Sequence, residues 1–141
     1  MRFAPIALAL CLPAAFAAEP ICDMGGAEVV PVMEPAKAAF LAGEFDRFAE
    51  LTTTIMRDGP ALFGDATERL KTLFPSGFES CQTIAQRRDM GGMVQEVTTF
   101  NIRGNTAPMS IYLLAAPLRG EMQISYVNFN TTMNDVLDSL R

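Results

Sequence analysis

Between Pro108 and Asn130 lies the stretch that most restricts what this chain can fold into: PMSIYLLAAPLRGEMQISYVNFN, two apolar runs hinged at Leu118-Arg119-Gly120-Glu121. Arg119-Gly120 suits a two-residue hairpin turn, so Met109–Ala116 and Met122–Phe129 are expected to pair antiparallel. That register sets Leu113 opposite Tyr126 and Ala115 opposite Ile124, burying one side. The other side then carries Tyr112, Leu114, Val127 and Phe129. It is too apolar to face water alone and needs a cover: a helix, a partner or a ligand.

The segments before this hairpin read as elements that extend or cover it. Cys81–Arg88 and Met93–Ile102 flank Asp89-Met90-Gly91-Gly92, a hairpin turn that would place Ile84 opposite Val97 and Arg87 near Glu96. Upstream the period becomes helical. Pro35 suits a first helical position, Ala36, Ala39 and Phe40 share a face, and Gly43 suits a C-terminal cap. Phe45, Phe48, Leu51, Thr52, Ile55 and Met56 continue at spacings of three and four, as one helix bent at Gly43 or two in succession. Asp58-Gly59-Pro60 is expected to stop this helix, and Asp65 with Glu68 to cap a short next one bearing Leu70, Leu73 and Phe74. After the last strand, Thr132 and Asp135 resemble a capping box ahead of Met133, Val136, Leu137 and Leu140. Asn130-Thr131-Thr132 fits a glycosylation sequon but is better read as this helix start. The fold class is α+β: N-terminal helices on a curved antiparallel meander of about four strands, closed by a short C-terminal helix, all one domain over residues 35–141.

Residues 1–17 have the organisation of a removed secretory signal: Arg2, an apolar run from Ala4 to Phe16, and Ala15-Phe16-Ala17 as the cleavage motif. Leu10 precedes Cys11 and the apolar run continues past it, which disfavours a lipid anchor there. Residues 18–34 read as an extended lead-in, with a turn at Met24-Gly25-Gly26. Cleavage leaves Cys22 and Cys81, an even count in an exported chain, and hence an expected disulfide tying the lead-in down. Closing a loop of about 60 residues, it is worth about 4 kcal/mol in chain-entropy terms. The expected location is the periplasm of a Gram-negative source, or otherwise the extracellular medium.

The mature chain has 10 basic and 16 acidic residues, a charge of −6, and no histidine. This argues against nucleic acid or an anionic membrane as partner, and no later segment is apolar enough to insert into a bilayer. The missing histidine removes Ser-His-Asp and Cys-His nucleophile systems, and without a C-x-x-C it leaves metal poorly supported. No cofactor is implied. The remaining acid–base set is Tyr112 or Tyr126 with Glu96, against the plainer reading of interior tyrosines and a strand glutamate facing Arg87. Arg87-Arg88, Arg103 and Arg119 fit solvated strand ends, and the methionines fit packing better than copper binding.

Ala38-Ala39-Phe40-Leu41-Ala42-Gly43-Glu44-Phe45-Asp46-Arg47-Phe48-Ala49 resembles the opening helix of the cone-shaped, cystatin-like superfamily typified by nuclear transport factor two. Ile111-Tyr112-Leu113-Leu114 and Gln123-Ile124-Ser125-Tyr126-Val127 are similar to its long curved strands. The likeness spans about residues 35–130 as a pattern. The chain departs from it in having no Trp and in continuing into a further helix. Lacking histidine, it is also without the His-dependent dehydratase mechanism of some members. A cone-like domain of this kind would enclose an apolar pocket between sheet and helices, and side-chain type and predicted location make Phe48, Phe100, Tyr112 and Tyr126 its expected lining. The leading functional expectation is therefore a small non-catalytic binding module for an apolar ligand. The alternative is a protein-interaction or homodimerisation domain, and a Tyr/Glu enzyme ranks below both.

Overall fold

The computed structural model describes residues 19–53 and 59–140; the signal segment, the first-helix positions Ile55 and Met56, and Asp58 lie outside them. Helices α1 (Glu34–Ala42), α2 (Phe45–Thr53) and α3 (Gly59–Leu73) precede strands β1 (Ser80–Arg88), β2 (Val94–Asn101), β3 (Met109–Leu118) and β4 (Glu121–Asn130), and α4 (Met133–Leu137) follows. The strands form one antiparallel meander in the order β1-β2-β3-β4. The α+β architecture expected from the sequence is what the chain adopts.

Gly43 separates two helices instead of bending one. It takes φ 79°, and the Gly43 and Glu44 N–H groups donate to Phe40 and Ala39 carbonyls, which closes α1 in the left-handed manner glycine favours. Gly59 and Pro60 open α3, so Asp65 falls inside that helix instead of capping it. A proline in the first turn forfeits only an N–H that would be unpaired there anyway, so Pro60 starts a helix here. At α4, Thr132 is the N-cap residue but its side chain makes no cap bond. Asn130 organises that end instead, accepting from the Thr132 N–H at 2.9 Å and donating to Asp135 Oδ2 at 2.9 Å.

Two bulges correct the expected strand registers. The β1–β2 loop is five residues long, closed by an Asp89 N–H to Met93 carbonyl bond of 2.9 Å, so Arg87 pairs with Gln95 and Gln86 with Glu96. Ile84 is the extra residue that absorbs the difference, which leaves Val97 opposite Ala85. In β4, Ser125 is extra: Ala115 pairs with Ile124 as expected, but Leu114, not Leu113, meets Tyr126. Since side chains alternate sides, this one residue moves Val127 and Phe129 to the Leu113 side and Tyr126 to the Tyr112 side. The expected composition of the two faces is wrong for these three residues.

The front face packs on the helices. Phe40 of α1 is its centre, fully buried, with ring centroids of Phe48 and Phe100 at 4.8 Å, Phe78 at 5.2 Å and Phe45 at 5.4 Å. The back face carries a smaller cluster of Val97 and Tyr112 under Val136 of α4, joined by Ala85, Leu114 and Leu140. The C-terminal helix thus supplies part of the cover that the apolar back face requires.

The α3–β1 connection seats against the α1–α2 corner. The Phe78 N–H donates to the Leu41 carbonyl at 2.9 Å, and Gly77, at φ 67°, lies so close that a Cβ there would collide with the Leu41 carbonyl and the Ala42 and Gly43 backbone. Gly77→Ala therefore combines a disallowed φ with a backbone clash and is expected to cost roughly 2–4 kcal/mol in urea unfolding. Gly120→Ala, at φ 86° with open space around it, should cost about 1 kcal/mol.

Candidate functional site

Beneath the front face, beside the aromatic core, three charges are sealed from water. Lys37, in the middle of α1, has no exposed side-chain surface. Its ammonium meets Glu96 Oε1 of β2 at 2.8 Å and Glu34 Oε1 at 2.5 Å, the latter an ion pair without hydrogen-bond geometry. Glu96 Oε1 also accepts from Thr83 Oγ1 at 3.1 Å and Thr98 Oγ1 at 3.2 Å, and its Oε2 accepts from Gln86 Nε2 at 3.0 Å. The remaining Glu34 oxygen accepts the Ile21 N–H at 2.8 Å. Buried charges persist only when paired and hydrogen-bonded, and this cluster meets that requirement except at Glu34 Oε1, which has the Lys37 charge beside it but no hydrogen bond.

The lead-in forms a strap over the cluster. Cys22 and Cys81 form the expected disulfide. Asp23 pairs in parallel with Gln82, donating to the Cys81 carbonyl at 3.0 Å and accepting from the Thr83 N–H at 2.7 Å. Glu28 exchanges two bonds with the Gln86 side chain. Between strap and β1 opens a polar hollow of about 430 Å³, lined by Met24 to Glu28, Thr83 to Gln86, and Arg88. Its wall residues Thr83 and Gln86 are the ones that hold Glu96.

The expected site residues do not share a cavity. Phe48 and Phe100 are packed against Phe40 on the front face, while Tyr112 and Tyr126 stand on the back with ring centroids 5.9 Å apart. Glu96 points to the front, so the sheet lies between it and both tyrosines. The Tyr–Glu pair proposed for acid–base work is not assembled, and the residue facing Glu96 is Lys37, not Arg87. Tyr112 instead heads a chain along the back: its hydroxyl donates to Gln95 Oε1 at 3.0 Å, Gln95 Nε2 donates to Asp89 Oδ2 at 2.6 Å, and Arg87 Nε donates to Asp89 Oδ1 at 2.7 Å. Burial pushes the Tyr112 phenol up, with the neighbouring Tyr126 and Asp89 adding to the effect and Arg87 opposing it.

Lys37 was the residue sequence reasoning passed over. Its signals were Glu34 three positions earlier on the same helix, its place between Ala36 and Phe40 on the apolar side, and a lone glutamate in the otherwise uncharged strand β2. Among the described residues no three metal-ligating side chains converge, and no helix is long and apolar enough to cross a membrane. No protein-family profile, curated protein or solved structure matches the chain.

Lys37→Met leaves two carboxylates buried without their cation and is expected to destabilise the fold by about 3–5 kcal/mol in urea unfolding. A second outcome concerns alkaline pH. Since folding raises the Tyr112 pKa above its ordinary value of 10.0, the unfolded chain loses that proton first. Stability from this group is full below pH 10 and falls as pH rises through the folded pKa. Tyr112→Phe should flatten this alkaline decline in a series of unfolding curves.

Proposed function

We propose that this chain is an exported, non-catalytic binding module whose working surface is the uncovered half of the back face, around Tyr126. The apolar amino-terminal run with its cleavage motif supports export, and the Cys22–Cys81 bridge fits an oxidising compartment. The order of helices followed by a four-stranded meander is compatible with the cone-shaped superfamily, but here the space between sheet and helices is filled by the Phe40 cluster. The filling around Phe40 favours a ligand site on the other side.

One observation carries this reading. Tyr126 is 46% exposed on an apolar face that α4 covers only at one end. Its row across the sheet is Arg87, Gln95, Leu114 and Tyr126, and Leu118 continues the face toward the hairpin turn. An aromatic ring beside aliphatic groups and a guanidinium suits a small molecule with an apolar face and an anionic or hydroxylated rim. Size favours a small ligand over a second copy of the chain. Four strands about 4.8 Å apart and roughly 17 Å of open length give roughly 300 Å², below the ~800 Å² per partner of a stable dimer.

Anilinonaphthalene sulfonate, which has such a face and charge, is a suitable probe. Native protein should bind it, Tyr126→Ala should weaken binding about fivefold, and Leu73→Ser on the outer surface of α3 should leave it unchanged. Light scattering should show a monomer. Equal binding by native and Tyr126→Ala protein, or a dimer that Tyr126→Ala dissociates, would overturn the assignment.

A further inference from the structure

We propose that Met24 is an oxidation site, its thioether a target for hydroperoxides and its sulfoxide oxygen an acceptor for the Lys37 ammonium beneath it. The Met24 sulfur lies 3.7 Å from Lys37 Nζ and 3.6 Å from Thr83 Oγ1. The Lys37 ammonium hydrogen-bonds Glu96 Oε1 and forms an ion pair with Glu34, and on the strap side its hydrogen-bond partner is this sulfur, a weak acceptor. The ammonium therefore meets only a weak acceptor on the side where the strap crosses it.

Access separates Met24 from the core methionines. It is half-buried and lines the 430 Å³ hollow, which opens to solvent. Met33 and Met109 are sealed in the core at 0% and 5% exposure, and Met90 is fully exposed on the β1–β2 loop. Met90 is thus the natural internal reference for unassisted oxidation.

In the reaction a sulfur lone pair attacks the terminal oxygen of the hydroperoxide. The S–O bond forms as the O–O bond breaks, and the electron pair leaves on the departing oxygen. That oxygen takes the proton released from the transferred hydroxyl and leaves as water or an alcohol. Sulfur is oxidised by two electrons, the peroxide is reduced, and the protein gains one oxygen atom without changing charge. A sulfoxide formed inside an apolar core disrupts packing. At Met24 the new oxygen arises against the Lys37 ammonium, whose contact on this side is otherwise only a thioether, so oxidation tightens the strap.

Native protein, Met24→Leu and Met24→Gln are compared with and without hydrogen peroxide, using site-resolved mass spectrometry and thermal unfolding. Met24 should be oxidised on the timescale of Met90 while Met33 and Met109 stay reduced. Peroxide should raise the native Tm by about 6 °C relative to identically treated Met24→Leu, the size expected of one added hydrogen bond to a charged group. Met24→Gln, which places an amide oxygen near the same donors, should show that gain without peroxide. The proposal fails if Met24 remains reduced when Met90 is fully converted, if treated native protein gains nothing over treated Met24→Leu, or if Met24→Gln is no more stable than Met24→Leu.

Discussion

The burial of one ammonium group, that of Lys37, is the constraint on which the rest of this structure depends. A lysine in the middle of a core helix would be strongly unfavourable alone, so the chain must bring acceptors to it from several elements. Glu34 comes from its own helix and Glu96 from the centre of the sheet. Glu96 in turn needs Thr83, Thr98 and Gln86, which fixes how β1 lies beside β2. Glu34 takes the Ile21 N–H, and Met24 closes over the ammonium, so the strap is drawn into the same network. Directional bonds of this kind specify one arrangement of helix, strand and strap where apolar packing alone would tolerate several. The disulfide adds a covalent tie at the edge of a position that the polar cluster defines from within.

The two sides of the sheet then take different roles. The front is closed around Phe40 by interlocking phenylalanines. The back is finished only in part: Val136 covers Val97 and Tyr112, while Tyr126 and Leu118 stay in contact with solvent. The Ser125 bulge produces this division. It delivers Val127 and Phe129 to the core and turns Tyr126 outward, so one inserted residue both completes the front and equips the back. A short five-residue helix is enough to cover the remaining apolar row nearest the C-terminus, which is why the surplus is half resolved instead of removed.

Much of this was legible in the sequence because it rests on periodicity and turn chemistry. Arg119-Gly120 announced the hairpin, Gly43 the helix end, and the alternating runs the meander. Cysteine parity announced the Cys22–Cys81 bridge. What could not be read was anything that turns on a single residue of register. Ser125 and Ile84 carry no bulge signature, yet each changes which side chains face the core. The next helix was placed at Asp65 because Pro60, which opens α3, was not also read as a helix start. Phe48, Phe100, Tyr112 and Tyr126 were grouped by type, and alternation across the sheet divides them. Lys37 was hidden because a charged residue on a helix is ordinarily solvated, and its partner Glu96 lies 59 positions away. Only the tertiary fold shows that each exists for the other.

The account stands on the interdependence of Lys37 and Glu96, and a double-mutant cycle tests it most directly. Unfolding free energies of the native protein, Lys37→Met, Glu96→Leu and the double variant yield their coupling. The account predicts a coupling of about 2–3 kcal/mol, with the double variant more stable than Lys37→Met alone because it no longer leaves Glu96 uncompensated. Additive effects, with coupling near zero, would contradict it and would mean that the fold does not depend on this pair.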